Sequence, residues 1–134
     1  MPHEHIYLLG ISDLDEDHLT LGHIIAELEL LCENPAPIAK VANITARLVE
    51  SARDHFAREE GIMADNEYPF LEAHRQSHRK LLDFVEALAD QLSTGRIVVN
   101  QELIAALWDW ETGHIETSDR EFGEYLKKPA LTNA

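Results

Sequence analysis

The chain has 134 residues, with 11 Lys or Arg against 25 Asp or Glu, and its formal net charge is −14. This length predicts a single domain, residues 1–134, large enough to bury a core. The acidic balance argues against nucleic acid and membrane-surface partners, because phosphate backbones and anionic headgroups repel such a protein. The single cysteine, Cys32, excludes an intrachain disulfide and Cys-rich zinc or iron–sulfur sites.

The N-terminal residues lack the basic and apolar regions of a signal peptide, and no apolar run approaches the ~20 residues of a membrane span. We therefore expect a cytoplasmic protein. The hydrophobic pattern predicts an all-α fold, an up-down-up-down four-helix bundle with short loops. Pro35 and Pro37 separate the first two helices, Gly95 follows the third, and Asn100 suits the cap of the fourth. The helices are expected over about 13–33, 38–64, 70–92 and 101–126, after an extended arm over residues 1–12.

Each predicted helix carries potential metal ligands on its apolar face. Positions four apart on a helix lie about 40° from one another, so His55 and Glu59 share a face, as do His74 and His78. The stripe that holds these donors is otherwise apolar and should face the core. The complete set of candidate ligands is His18, His55, Glu59, His74, His78, His114 and Asp119.

The candidate ligands are interpreted together, because any one histidine alone is more often a core residue with an ordinary hydrogen-bond partner. Burying five imidazoles and two carboxylates without an ion carries a severe desolvation cost, which bound cations would offset. Imidazole and carboxylate suit iron and its first-row neighbours, and manganese or zinc could enter the same site. The sequence therefore predicts a metal centre in preference to a purely structural bundle.

The spacing of the ligands separates this site from two other classes. A zincin needs His-Glu-x-x-His, but Arg75 follows His74. Ferritin-like di-iron bundles need Glu-x-x-His on two helices plus two further glutamates, whereas histidines outnumber carboxylates among the candidate ligands of this chain. His114 and Asp119 are five residues apart, about 140° on an ideal helix, so either the helix widens locally or the two donors approach from opposite sides.

The pattern H…HxxxE…HxxxH…HxxxxD resembles the hemerythrin family, particularly the single-domain bacterial hemerythrins, over roughly residues 10–125. The resemblance extends to three further features. They are the LDEDH run of residues 14–18, Phe56 and Trp110. What it implies is a non-haem centre of two iron ions, oxo- or hydroxo-bridged, that binds dioxygen or another small diatomic or peroxide ligand.

The resemblance also implies a role for each ligand. By position, Glu59 and Asp119 would bridge the two irons. His18 and His55 would hold the iron that keeps an open position for dioxygen. The other iron would be completed by His74, His78 and His114.

A dioxygen site needs a dry apolar pocket, since water and protons promote oxidation of the irons. The residues expected there are Leu21, Ile25, Phe56, Trp110 and Ile115, although ordinary core packing is the commoner role for each one separately. The histidines outside the pattern, His3, His5 and His23, are expected at the surface.

Glu111 departs from the family, whose members usually carry leucine three residues before the last histidine. The favoured interpretation turns Glu111 out to solvent or pairs it with a lysine or arginine. The alternative points it at the open iron position, as a ligand or a proton relay, which would favour peroxide, nitric oxide or redox chemistry.

We favour a protein that stores, delivers or buffers dioxygen. The alternatives are a di-iron enzyme that uses Glu111 and a sensor of oxygen or redox state.

Overall fold

The structure, a computed structural model, describes residues 12–114 and 120–127. Within these ranges all regular structure is helical, so the all-α prediction is confirmed. The predicted N-terminal arm lies outside the described residues, except for Ser12, which begins the first helix. The helices are α1 (Ser12–Leu30), α2 (Ile38–Asp65), α3 (Leu71–Ser93), α4 (Gln101–His114) and α5 (Arg120–Lys127).

The helix ends differ from the predicted ones mainly in α1 and in the last predicted helix. Helix α1 ends at Leu30 and not near residue 33, because the chain tightens there into turns closed by bonds such as Cys32 N to Glu29 O, 3.0 Å. Helices α2 and α3 match their predicted ends within one residue. The predicted helix over 101–126 corresponds to α4 and α5, and residues 115–119 between them are not described.

Local signals at the α3–α4 connection behave as the sequence predicts. Gly95 has φ of 79°, a left-handed conformation that glycine adopts without steric cost, and it directly follows the end of α3. The side chain of Asn100 caps α4 by accepting a hydrogen bond from the Leu103 backbone amide at 2.9 Å. These two residues fix where one helix stops and the next begins.

The main core lies between α1, α2, α3 and α4. Helix α2 packs against both α1 and α3, and α1 also packs against α4. Buried positions in α2 recur every three or four residues from Val41 to Met63, the spacing of a single helical face. The fully buried apolar residues of this core include Ile25, Leu28, Ala52, Val85 and Leu107.

Helix α5 packs against a smaller cluster at the α2–α3 connection. Phe122 is completely buried there with Met63 and Tyr68. The Tyr125 hydroxyl donates hydrogen bonds to the backbone carbonyls of Asn66 and Glu67, at 3.1 and 3.3 Å. Helix α5 is thereby anchored close to the end of α2.

Among the residues that the structure describes, four arginine–carboxylate pairs connect neighbouring helices. Between α1 and α2 these are Arg47–Glu27 at 2.6 Å and Arg58–Asp17 at 2.8 Å; between α2 and α3 they are Arg53–Glu86 and Arg75–Glu60, the latter at 3.6 Å. All four arginines are roughly half exposed, so each pair contributes at most about 1 kcal/mol to stability.

None of the described helices combines the length and apolar character that crossing a bilayer requires.

Candidate metal centre

Six of the seven candidate ligands lie in the described part of the chain, and all six are buried. Glu59 is 0% exposed, and the least buried of them, His114, is only 8% exposed. They come from α1, α2, α3 and α4, whose apolar faces turn them towards the same interior region. The seventh candidate, Asp119, lies outside the described residues.

Glu59 stands at the centre of two groups of potential ligand atoms. One group consists of His18, His55 and Glu59, and the other of Glu59, His78 and His114. Within each group, one potential ligand atom from each residue lies within 4.8 Å of the others. These groups divide the histidines in the same way as the family resemblance does, while their role as ligands remains a prediction.

In the first group, ring nitrogens and a carboxylate oxygen face one another. His18 Nε2 lies 3.1 Å from His55 Nε2, and His55 Nε2 lies 3.8 Å from Glu59 Oε2. Two imidazole nitrogens and a carboxylate oxygen so close together form a donor set that can bind one divalent cation.

In the second group, the histidines converge on the other Glu59 oxygen. His78 Nε2 lies 2.9 Å from Glu59 Oε1, and His114 Nε2 lies 3.5 Å from it. His74 Nδ1 is somewhat further away, at 4.0 Å from the same oxygen. One buried carboxylate therefore offers its two oxygens to two different sets of histidines.

The chemistry of this cluster fits a pair of metal ions. Glu59 Oε2 is buried and has no hydrogen-bond partner among the described residues. A buried carboxylate oxygen without a partner is costly in an apolar interior, and a cation is the group that compensates it most effectively. Neutral imidazoles and carboxylates are also the donors that non-haem iron accepts.

Two carboxylates outside the predicted set contact the cluster from its outer side. Asp17 Oδ2 lies 3.3 Å from His55 Nδ1, and Glu60 Oε2 lies 2.7 Å from His78 Nδ1. Burial alone would raise the pKa of Asp17, but hydrogen bonds with His55 and Arg58 hold it below its ordinary value. Sequence analysis missed both residues, whose signal is their position beside the ligands His18 and Glu59.

A small cavity adjoins the first group of ligands. Its volume of about 10 Å³ is close to the least space that holds one water molecule. Leu21, Phe56 and Trp110, three of the residues expected at a ligand pocket, line it, and so does Leu81, which was not predicted from the sequence. Ile25, also expected there, is completely buried in the core and is not among the residues that line this cavity. Ile115 lies outside the described residues.

Aromatic packing holds part of the cluster in place. Phe56 stacks on His78, with ring centroids 4.4 Å apart and an interplanar angle of 11°. The same ring meets His114 edge-on at 5.5 Å and Trp110 edge-on at 6.4 Å. Phe56 thus touches both the ligands and the cavity wall, which makes it a packing support for the site.

Glu111 faces the cavity, and the favoured expectation that it turns to solvent or pairs with a base is wrong. It is 4% exposed, lines the cavity, and its Oε1 has no hydrogen-bond partner among the described residues. Burial raises the pKa of Glu111 to about 8, although His55 and His114 act in the opposite direction. The repeat Leu107, Glu111, His114 on the buried face of α4 was the available signal.

Three histidines outside the pattern were expected at the surface. His23 is exposed, and His3 and His5 lie outside the described residues.

The fold and the cluster together define the class: a helical-bundle protein with a buried His/Glu metal-binding cluster. Residues 9–126 match the family described as the hemerythrin HHE cation binding domain, and the chain therefore belongs to the hemerythrin family.

Curated relatives agree with this assignment. A bacteriohemerythrin of Stenotrophomonas maltophilia (strain R551-3) is 25% identical over 119 residues, covering 89% of this chain and 76% of the relative. A bacteriohemerythrin of Pseudomonas paraeruginosa (strain DSM 24068 / PA7) is 30% identical over 120 residues, with coverages of 88% and 76%. A myohemerythrin of Theromyzon tessulatum is 30% identical over 109 residues, with coverages of 81% and 79%. No solved structure matches the chain significantly.

Proposed function

We propose that this chain is a non-haem di-iron protein that binds dioxygen reversibly. The observation that carries the proposal is the buried Glu59, whose two oxygens face two separate sets of histidines. Two iron ions held there would supply an open coordination position and the two electrons that dioxygen binding by this family requires.

The grouping of the side chains suggests which residues would hold each ion. His18 and His55 would hold one ion and His78 and His114 the other, with one oxygen of Glu59 available to each. His74, whose Nδ1 lies 4.0 Å from Glu59 Oε1, is added to the second set from the family resemblance. The distances of 3.1 Å between His18 and His55 and 2.9 Å between His78 and Glu59 support this division. Asp119, which lies outside the described residues, is proposed from the resemblance alone as a further carboxylate that would hold the ions.

The fold proposed around this site is one domain, residues 1–134, built as an up-down-up-down bundle. The order of the ion pairs supports it. Glu27 and Asp17 of α1 pair with Arg47 and Arg58 of α2, so α2 runs opposite to α1. Arg53 and Glu60 of α2 pair with Glu86 and Arg75 of α3 in the same reversed order. Antiparallel neighbours bring ligands from separate helices to one level of the bundle.

The apolar side chains of the cavity wall favour a small ligand. Leu21, Phe56, Leu81 and Trp110 present apolar surface beside the first group of histidines. A space of about 10 Å³ suits a ligand of a few atoms. These side chains limit the access of water and its protons, which favours release of unchanged dioxygen.

A second candidate function, peroxide or nitric oxide chemistry, is favoured by Glu111. Its carboxyl group belongs to the same cavity wall and is otherwise unpaired on Oε1. A carboxyl group there can hold or pass a proton at the ligand, which an oxygen carrier avoids and a peroxidase uses. Glu111 is absent from both groups of closely spaced ligand atoms, so we assign it to the cavity and not to the metal.

Variants at Glu111 separate the two functions. If the protein is an oxygen carrier, Glu111→Leu should lengthen the lifetime of the oxygenated protein, because it removes the nearest proton source. If it is a peroxidase, Glu111→Gln should slow peroxide consumption at least tenfold. Glu121, an exposed carboxylate on α5, supplies the control variant Glu121→Gln, which should change neither rate. Unchanged lifetimes and rates in both Glu111 variants would remove any role for Glu111.

A further inference from the structure

One histidine in the first group of ligands is held from behind by a carboxylate and an arginine. His55 Nε2 faces His18 and Glu59, whereas its Nδ1 lies 3.3 Å from Asp17 Oδ2. The same Asp17 oxygen accepts a hydrogen bond from Arg58 Nε at 2.8 Å. We call Asp17, His55 and Arg58 the Asp17 triad.

The second group of ligands contains a matching arrangement between α2 and α3, whereas the first lies between α1 and α2. His78 Nε2 faces Glu59 at 2.9 Å, and its Nδ1 lies 2.7 Å from Glu60 Oε2. The other oxygen of Glu60 lies 3.6 Å from Arg75 Nε. We call Glu60, His78 and Arg75 the Glu60 triad.

The two triads share a gradient from buried histidine to exposed arginine. The histidine side chains are 1% and 3% exposed, the carboxylates of Asp17 and Glu60 19% and 25%, and the arginines 48% and 44%. Each carboxylate is therefore reached by a cation from the solvent side and by an imidazole from the inside. Contacts from both sides fix the orientation of the carboxylate beside the histidine.

A carboxylate behind a histidine decides which ring nitrogen faces the metal. When Nδ1–H donates to the carboxylate, Nε2 keeps its lone pair and the ring cannot rotate away. Loss of such a partner typically lowers metal affinity by about 10- to 100-fold. Because His55 and His78 belong to different ligand groups, the two triads act on different metal positions.

We propose that Asp17 and Glu60 are positioning residues, each of which fixes the tautomer and orientation of one histidine and so sets the affinity of one of two metal positions. The Asp17 triad acts on the position formed by His18 and His55, and the Glu60 triad on the position formed by His78 and His114. This inference rests on the proposed function, in which the cluster holds two ions.

The test uses Asp17→Ala, Glu60→Ala and the double variant, with two matched controls. Glu27→Ala breaks another arginine pair between α1 and α2, and Glu86→Ala breaks another pair between α2 and α3. Within the described part of the chain, Glu27 pairs with Arg47 and Glu86 with Arg53, and neither forms a hydrogen bond or ion pair with a histidine of the cluster. The controls therefore report the effect of losing an inter-helix ion pair and one negative charge, without loss of a histidine partner.

Metal uptake is measured with Co²⁺ by equilibrium dialysis of the metal-free protein. Free Co²⁺ is varied over a range that yields a Kd for each binding step. We expect both Kd values to be unchanged in the controls, one of them to rise about 10- to 100-fold in each single variant, and both to rise in the double variant. Asp17→Asn and Glu60→Gln should recover part of the affinity, since an amide oxygen still accepts a hydrogen bond from Nδ1–H. A purely electrostatic role would give no such recovery.

Nitrogen NMR of the histidine rings supplies a readout that needs no metal. In the metal-free wild type, Nδ1 of His55 and Nδ1 of His78 should each show the signal of a nitrogen that donates a hydrogen bond. Asp17→Ala should change the Nδ1 signal of His55 only, and Glu60→Ala that of His78 only. A change confined to the partner histidine also shows that the variant has kept its fold.

The outcomes separate this inference from the function on which it rests. If the wild type binds two Co²⁺ but the single variants keep both Kd values and both Nδ1 signals, the positioning role is wrong. If both single variants weaken the same binding step, the assignment of one triad to each position is wrong. A wild type that takes up fewer than two ions would instead contradict the two-metal centre itself, and the inference with it.

Discussion

At the residue scale, the site depends on Glu59 more than on any single histidine. Each described histidine of the cluster belongs to one side of the site, whereas Glu59 offers Oε2 to one side and Oε1 to the other. The same carboxylate is completely buried in α2, the helix that packs against both α1 and α3. A substitution there should therefore affect both proposed metal positions together.

We predict that Glu59→Gln lowers the affinity of both metal positions, because the neutral amide loses the charge and one of the two oxygen donors. Co²⁺ bound per chain, measured by dialysis, should fall below one at concentrations that give two in the wild type. Glu86→Gln, a carboxylate change on the surface of α3, is the control and should leave two ions bound. Retention of both ions by Glu59→Gln would exclude Glu59 as the shared ligand.

Glu111 gives a pH-dependent prediction for the metal-free protein. Its pKa of about 8 in the folded state exceeds the ordinary 4.5, so folding favours the protonated form. The stability that this provides is complete below about pH 4.5 and is lost as pH rises towards 8. Relative to the wild type, the free energy of unfolding of Glu111→Gln should rise by a few kcal/mol between about pH 4.5 and 8 and stay constant above that range. Urea unfolding of both proteins at several pH values measures this difference. A difference independent of pH would show that Glu111 is charged throughout in the fold.

At the scale of elements, the positions and faces of the helices follow from the sequence, because the helix-breaking residues, the capping residues and the apolar spacing indicate the same boundaries. Pro35 and Pro37, Gly95 and Asn100 mark the connections, and the three-to-four-residue spacing of apolar side chains marks the faces. Ligands that lie on these faces, such as His55 and Glu59, become buried with them. This reasoning accounts for the positions of α2 and α3 within one residue.

The parts that sequence did not predict depend on side-chain rotation and on contacts between helices. The spacing of Leu107, Glu111 and His114 places Glu111 on the buried face of α4, but a carboxylate is ordinarily solvated, and only the packing of the helices keeps this one inside. Asp17 and Glu60 lie beside the apolar stripes and would ordinarily be solvated, so their contacts with His55 and His78 appear only when the helices are assembled. Helical periodicity does not identify these contacts between helices.

The cap of α4 provides a prediction at the same scale. Asn100→Ala removes the acceptor of the Leu103 amide and should lower the free energy of unfolding by about 1 kcal/mol. Asn100→Ser, which restores an acceptor, should recover most of the loss. Thermal or urea unfolding of the metal-free proteins measures both. Equal stability of the wild type and the Ala variant would mean that the side-chain cap contributes nothing.

At the scale of the whole molecule, folding and metal binding should be strongly coupled. The metal-free interior brings together five histidines and two carboxylates, Glu59 and Glu111, in a domain of ordinary marginal stability. Ions that bind only the folded chain add to its stability by mass action. The cluster therefore weakens the metal-free bundle and strengthens the loaded one.

We predict that Co²⁺ at 100 times its Kd raises the free energy of unfolding by about 2.7 kcal/mol for each ion bound. Urea unfolding with and without a chelator measures the change, which should approach twice this value when both positions are filled. Glu59→Gln is the control, since its shift at the same Co²⁺ concentration should be much smaller. Equal shifts in the two proteins would place metal binding elsewhere on the chain.

The central claim is that the cluster holds two irons and binds dioxygen reversibly. The most direct measurement reduces the iron-loaded protein without air, counts its iron, and follows the visible absorption while dioxygen is added and then removed under argon. We predict two irons per chain and a colour that appears with dioxygen and disappears under argon over repeated cycles. Rapid and irreversible conversion to the oxidised form, at the same iron content, would contradict oxygen binding as the function and favour redox chemistry at Glu111.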